Sequence, residues 1–252
     1  MAALVSGSPS SLEGAAAPEA KLGLQFDLTS ISQQPGTTQA LRVALRPVVP
    51  GQSGWVRSGV AWSSLSYLRF GRGTAAERHR RLLNEIQLLA AAGEDRHYYG
   101  YQQQTMYLDA FTSRRIWDLL AEAQDVGLPL MQTGKMAAPV IVSPQPARVC
   151  MQADRVEDDL VLNPALQVNG FAIASECALL VGEPAHGVVW WTSADGAAMP
   201  APKDRALRLA PLAAPLATGI RGALAGPSIR IPAHDEQRFY RDFLPDLLHQ
   251  VE

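Results

Sequence analysis

Short apolar runs between Pro139 and Thr192 restrict the fold of this 252-residue chain more than any other feature of its sequence. The runs PVIVS, ARVCMQAD, LVLNPALQV, CALLVGE and HGVVWWT are separated by Pro, Gly, Asp and Asn. Runs at this spacing are typical of strands joined by turns. The region therefore predicts an antiparallel β-meander, built as a sheet or a partly closed barrel.

Alternating apolar residues predict a β-hairpin in the N-terminal part. A period of two occurs in LGLQFDL, which begins at Leu22, and again in LRVALR, which begins at Leu41. The Pro-Gly segment SQQPGTTQ between them is typical of a turn. The two runs therefore predict a pair of antiparallel strands.

Two segments carry strong helical signals. Thr74 and Glu77 form a capping-box signature and Gly93 supplies a stop, which predicts a helix between them. A second helix is predicted over about 112–126, ended by Gly127. The apolar positions of these helices are Leu82, Leu83, Ile86, Leu89 and Ala90 in the first and Ile116, Leu119, Leu120 and Ala123 in the second.

A third helix is predicted after Asp235, which can cap it. Pro245 must kink this helix or start a new one, because proline removes a hydrogen bond and crowds the previous turn. The helical period continues to the last residues, which favours either a docking helix or a chain cut from a longer one. Its apolar positions are Phe239, Tyr240, Phe243, Leu244, Leu247, Leu248 and Val251.

Together these elements predict an α+β fold: an N-terminal hairpin with two main helices, then an antiparallel β-meander and a C-terminal helix. The expected divisions are a flexible leader (1–21), a mixed α+β subdomain (22–138), a β-meander subdomain (139–232) and the C-terminal helix (233–252), which could lead to a missing module.

Composition sets limits on the class of protein. A hydrophobic fraction of 47% with 18% charged residues is typical of a globular protein rather than a disordered one. The net charge of −2 argues against a surface wholly devoted to nucleic acid and leaves room for a local basic patch. The two cysteines, Cys150 and Cys177, are too few for a disulfide framework or a four-cysteine zinc site, and we expect them to be small buried residues in a reducing compartment. With no bilayer-spanning run and no secretory signal, the expected location is cytoplasmic.

Motif-defined enzyme classes are excluded by the sequence. It contains no GxxxxGK[ST] phosphate loop, no Gly-rich dinucleotide fingerprint, no HExxH, no zinc-finger spacing and no GxSxG elbow. Enzymes whose sites assemble from scattered residues remain possible. His186 could serve as a ligand or a base in such a site, although a turn histidine bonded to backbone is the favoured interpretation.

The other polar candidates favour structural roles. Asp235 is expected to cap a helix rather than to form a catalytic pair with His234, and His79 and His97 are expected to be solvated. The acidic run 157–159 could bind a cation, but a solvated hairpin turn is favoured. No metal site is predicted.

Aromatic and arginine residues are interleaved between Gly54 and Leu83, as in GWVRSGVAWSSLSYLRFGRG. Such residues either fix the edge of a core with a solvated basic rim or present a face to an anionic partner. The solvated rim is the favoured alternative, and its arginines would pair with Glu77, Glu85 or Asp118. The candidate nucleic-acid contacts are Arg69, Arg72, Arg78, Arg80 and Arg81.

A protein interface is the second candidate surface. Trp190 and Trp191 are adjacent in an apolar run, so in a strand one ring would face the core and the other would face outward or towards a second module. An exposed tryptophan favours a protein contact. The candidate interface residues are Trp190, Trp191, Phe243 and Leu247.

Several segments, in order, resemble one family. WVRSGVAWSSLSYL, RHRRLLNEIQLL, YYGY, FTSRRIWDLLAEAQDVGLPL, LLVGEPAHGVVWW and LRLAPL are similar to the N-terminal region of bacterial, especially actinobacterial, SWI/SNF-type ATPases, the DEAD/DEAH-box helicases related to RapA and HepA. IPAHDEQRFYRDFLPDLL resembles the segment that leads to their ATPase core. The resemblance covers roughly residues 22–252.

The resemblance implies a non-catalytic accessory or regulatory module that positions a motor, a nucleic acid or a partner protein. Such motors use ATP and magnesium on two RecA-like lobes, whose motifs this sequence lacks, so no cofactor is expected in this chain and no ATPase residue carries over. The implied partner is a SWI/SNF-type ATPase core in cis or in trans, with DNA or another protein. The alternatives are a free-standing protein–protein interaction module and, as a minor one, an enzyme with a scattered site near His186.

Overall fold

The computed structural model describes residues 21–31, 40–52, 54–93, 105–132, 139–173, 177–192, 206–216 and 228–245. These residues form a mixed α+β fold in which sheets dominate. The leader and the positions His97 and Leu247 lie outside the described residues.

The first sheet has five strands: β1 (Gly23–Ile31), β2 (Ala40–Gly51), β3 (Gly54–Val56), β4 (Met106–Tyr107) and β5 (Leu130–Gln132). Their order is β3-β2-β1-β5, with β4 paired to β2. Strands β1 and β2 are antiparallel, and the register places Phe26 opposite Leu45. Strand β5 runs parallel to β1.

Two helices pack beside this sheet, and the signals predicted at the start of the first and at the end of the second are confirmed. Helix α1 spans Ala75–Gly93, and α2 spans Arg115–Asp125. Gly127, with φ of +73°, ends α2 in a left-handed turn: its N–H donates to the carbonyl of Gln124, and that of Leu128 donates to the carbonyl of Ala123. The predicted apolar positions of α2 are all buried.

The region predicted as one antiparallel meander is instead divided between two sheets, and it includes parallel pairing. The strands of these sheets are β6 (Ile141–Val142), β7 (Arg148–Val156), β8 (Asp159–Val168), β9 (Phe171–Ile173), β10 (Ala178–Val181), β11 (Ala185–Thr192), β12 (Ala206–Leu216) and β13 (Ile229–Ile231). In the second sheet the order is β10-β11-β12-β6, with β6 parallel to β12. In the third the order is β13-β8-β7, with β9 paired to β8.

Strand β11 is buried on both faces, which corrects the prediction for the tryptophan pair. Trp191 belongs to the core formed with α1, α2 and the first sheet, and Trp190 belongs to a second core on the other face. Their exposed fractions are 3% and 6%. The alternation along the strand is as expected, but a second set of apolar residues of the same chain covers the face that was expected to point outward or towards a second module. The two rings therefore form no contact surface.

The 233–245 helical segment is irregular. It begins with a 3-10 turn at Ala233–Asp235, continues as a single α-helical turn and becomes a π-helical turn at Phe239–Phe243, just before Pro245. Proline lacks the N–H that an α-helical turn would use, which accounts for the wider turn at this point. The side chain of Asp235 makes no capping hydrogen bond, so the expected cap is wrong.

Among the helices that the structure describes, none combines the length and the apolar character needed to cross a bilayer.

Candidate functional site

The segment before α1 presents an exposed aromatic ring from a rigid turn. A 3-10 helix at Trp62–Tyr67 is fixed to the first core by Leu65, which is fully buried, and by Trp62, whose Nε1 donates to the carbonyl of Leu45 at 3.3 Å. The Ser64 hydroxyl accepts the Ala61 N–H at 2.9 Å and closes the start of the turn. Tyr67, on the other side of the same turn, is 78% exposed.

The start of α1 is closed by its own side chains. The Thr74 hydroxyl accepts the Glu77 N–H at 3.2 Å, and the Glu77 carboxylate accepts the Gly73 N–H at 2.7 Å. This is the predicted capping pair, with the carboxylate bonded one residue earlier than in a regular box. Because a carboxylate already occupies this end of the helix, an incoming phosphate must be bound by arginine side chains.

The structure does not place the five candidate arginines on a single face. Arg78 and Arg80 are two positions apart on α1 and so are separated by about 160° around its axis. Arg81 pairs with Glu85 on its own helix and with Glu122 of α2, at 3.6 and 3.0 Å. Arg81 therefore belongs to the contact between the two helices. Its pairing with Glu85 is one of those that the solvated-rim alternative predicts.

The other four arginines of the cluster form no ion pair within the part of the chain that the structure describes. Arg69, Arg72 and Arg78 are exposed and Arg80 is half-buried. The guanidinium of Arg69 donates to the carbonyl of Ser66 at 3.2 Å, which holds it beside the turn that carries Tyr67. We call Tyr67, Arg69, Arg72 and Arg78 the Tyr67 surface.

Two other exposed arginines among the described residues, Arg155 and Arg230, contrast with this group because carboxylates neutralise them. Arg155 pairs with Glu236 at 2.6 Å, and Arg230 pairs with Asp159 at 2.7 Å and with Glu157 at 3.2 Å. Arg230 lowers the pKa of the Asp159 carboxyl, and the Ala233 N–H contributes in the same direction. The predicted turn at Glu157–Asp158 is confirmed. The carboxylate of Asp159, the first residue of β8, connects that strand to β13 and to the 233–245 segment.

His186 is a buried structural residue, and its predicted hydrogen bond to backbone is confirmed. Its Nδ1 accepts from Trp117 Nε1 at 2.8 Å and its Nε2 donates to the carbonyl of Phe111, also at 2.8 Å. Burial is the main cause that lowers the pKa of His186, and Arg114 adds to the effect. With both ring nitrogens bonded and 1% of the residue exposed, His186 has no nitrogen left to act on a substrate.

His79 is buried at 2% exposure, so the expectation that it is solvated is wrong. Its Nε2 lies 3.2 Å from the carbonyl of Val126 at the end of α2. A signal was present in the sequence: His79 is three, four and seven positions from Leu82, Leu83 and Ile86, so it shares their buried side of α1.

No group of three or more metal-ligating side chains occurs among the described residues. A cleft of about 690 Å³ lies between the third sheet, β12 and the 233–245 segment, with an apolar lining that includes Met151, Leu162 and Phe239. At its margin Tyr240 is 49% exposed, and Phe243, on the same helical segment, is 55% exposed. Phe243 is thus the predicted interface residue that the structure leaves accessible.

No known family model, curated protein or solved structure is detectably similar to this chain.

Proposed function

We propose that this chain is a non-catalytic accessory module that binds nucleic acid through the Tyr67 surface and positions it for a SWI/SNF-type motor. The observation that carries the proposal is that Arg69, Arg72 and Arg78, close together in the sequence, are all exposed and form no ion pair with any described residue, whereas the exposed Arg155 and Arg230 are paired with carboxylates. Unpaired guanidinium groups match the charge and the geometry of phosphate oxygens.

The charge distribution supports a local surface rather than a protein that is basic throughout. The net charge of −2 limits long-range attraction, so the arginines must act by direct contact with phosphates. The motor and its ATP and magnesium belong to the partner in this proposal. A cytoplasmic location is part of the proposal.

The test is the charge reversal Arg72→Glu with Arg78→Glu in the same chain. We expect loss of binding to labelled oligonucleotides, measured by fluorescence anisotropy, and a salt dependence whose log–log slope falls by about 2, one unit per lost phosphate contact. Neither arginine has an ion pair among the described residues, so the fold should survive, which thermal unfolding checks.

The matched control is Arg238→Glu with Arg241→Glu, which changes the net charge equally at an exposed site on the 233–245 segment. An equal loss in both double variants would show that only net charge matters. Absence of any salt-sensitive binding by the unaltered chain would refute the proposal.

A second candidate function, a protein–protein interaction module, is favoured by the exposed rings of Tyr240 and Phe243. Under it, Phe243→Ser would abolish capture of a purified motor core while oligonucleotide binding stayed unchanged. Capture that persists in the variant would contradict this candidate.

A further inference from the structure

Phosphate binding by the Tyr67 surface requires its arginines but leaves the aromatic ring of Tyr67 without a role. Its ring is 78% exposed, although Trp62 and Leu65 of the same turn are buried. Because the ring is mostly in water, it adds little to the packing of the core. The arginines alone would be enough to bind phosphates, so the ring calls for another explanation.

The ring is carried on a rigid support. The turn is fixed by the buried Trp62 hydrogen bond, by Ser64 at its start and by the Leu68 N–H, which donates to the carbonyl of Leu65 at 3.2 Å. The 3-10 turn also contacts α1, which begins a few residues later. A platform fixed in this way loses little conformational entropy when a planar group packs on it.

Cationic groups lie on the chain immediately after the ring. Arg69 is two residues further on and is bonded back to the carbonyl of Ser66, and Arg72 follows in the turn before α1. An exposed aromatic ring, followed within five residues by arginines that form no ion pair with the described residues, can bind a base and its phosphates together.

We propose that Tyr67 is a stacking platform for unpaired bases, which makes single-stranded nucleic acid the substrate class of the Tyr67 surface. This inference rests on the proposed function, because the same arginines hold the phosphates. In a duplex the base faces are covered by their neighbours, so an exposed ring adds affinity only for unstacked bases. Phosphate contacts alone would bind both forms with little distinction.

The experiment compares an oligodeoxythymidine of about 20 nucleotides, which carries one 2-aminopurine, with a DNA duplex of the same length. We expect the unaltered chain to bind the single strand more tightly and to change the 2-aminopurine fluorescence through stacking. Tyr67→Leu keeps an apolar side chain but removes the aromatic face, and it should weaken single-strand binding roughly 5- to 100-fold with little effect on the duplex. Tyr67→Phe retains the face and should bind as the unaltered chain does.

The outcomes separate the two claims. If both probes bind in a salt-sensitive way and Tyr67→Leu changes neither, stacking is wrong and the proposed function stands. If Tyr67→Leu weakens both probes equally, or Tyr67→Phe fails as Tyr67→Leu does, the ring has no base-specific role and the inference is overturned. If neither probe binds, the proposed function fails and the inference fails with it. Leu88→Ala, which alters another exposed side chain of this region at 69% exposure, is the control for surface apolarity.

Discussion

A single glycine sets how closely α2 approaches β11. A Cβ atom added at Gly187 would lie 1.7 Å from Cζ2 of Trp117, the indole that donates to His186. The indole of Trp117 therefore lies directly over Gly187, where no side chain larger than a hydrogen atom fits.

We expect Gly187→Ala to destabilise the chain by about 3 kcal/mol or more, because Trp117 must move and its hydrogen bond to the buried His186 is lost. Urea unfolding at equilibrium measures the loss. Gly71→Ala is the control, since its Cβ would meet Cγ2 of Thr74 at 3.2 Å on the surface. Similar costs at both sites would contradict the steric argument.

His186 also gives the fold a pH dependence with a definite sign. Burial lowers the pKa of His186 below its value of about 6.5 in the unfolded chain. The unfolded chain therefore binds the proton first as the pH falls, and the free energy of unfolding decreases below pH 6.5 until the folded pKa is reached.

The measurement is the free energy of unfolding between pH 7.5 and 5, compared with that of His186→Gln, which cannot titrate. We expect the variant to be less stable but to show a smaller decrease, with a difference of at most about 1.4 kcal/mol for each pH unit. His234→Gln, the same substitution at an exposed histidine, is the control. Parallel pH profiles for the native chain and His186→Gln would refute the assignment.

At the scale of the element, the start of α1 depends on one hydroxyl. We expect Thr74→Ala to cost about 1 kcal/mol in the free energy of unfolding, because the Glu77 N–H loses its acceptor. Thr74→Ser keeps the hydroxyl and should cost only a few tenths of that amount. Thermal unfolding monitored by circular dichroism gives both values, and equal costs would show that the cap contributes nothing.

Elements whose ends are set by nearby residues in the sequence were the ones that could be predicted. Thr74 and Gly127 act on their own helix ends, so the start of α1 and the end of α2 were predictable. The parallel pairing of β5 with β1 and of β6 with β12 joins distant segments through backbone groups that carry no side-chain signal. The division of the apolar strands between two sheets was unpredictable for the same reason.

The candidate site was predictable only in part. The residue types alone were enough to select Arg69, Arg72 and Arg78 as candidates. That Arg81 pairs with Glu122 could not be predicted, because the pair depends on how α1 packs on α2. The exposure of Tyr67 depends on which side of a six-residue 3-10 turn faces the core. Trp190 and Trp191 were misplaced because a strand buried on both faces has the same local pattern as one that is half exposed.

At the scale of the whole molecule, the second sheet joins two cores. Val189 and Trp191 belong to the first core, while Val188 and Trp190 belong to the second. The first core also takes residues from both sides of position 138, from Leu22 to Leu209. The subdomain boundary expected there stays a prediction.

We expect Val188→Ala and Val189→Ala, which open cavities in different cores, each to cost about 2 kcal/mol and to lower the midpoint of one shared unfolding transition. Urea unfolding followed by tryptophan fluorescence and by far-ultraviolet circular dichroism should give coincident curves for the native chain and both variants. Two separated transitions, only one of which responds to each variant, would show that the cores unfold independently.

Strand β11 also has a neighbour on each edge, β10 on one side and β12 on the other. Its amide hydrogens are thus covered by side chains above and below and bonded within the sheet. In deuterated water these amides should exchange last, close to the rate of global opening, while those of the 233–245 segment should exchange by local fluctuations. Mass spectrometry of the labelled chain would then find the longest retention of hydrogen in peptides that contain Ala185–Thr192, far along the sequence from the residues that we expect to bind nucleic acid.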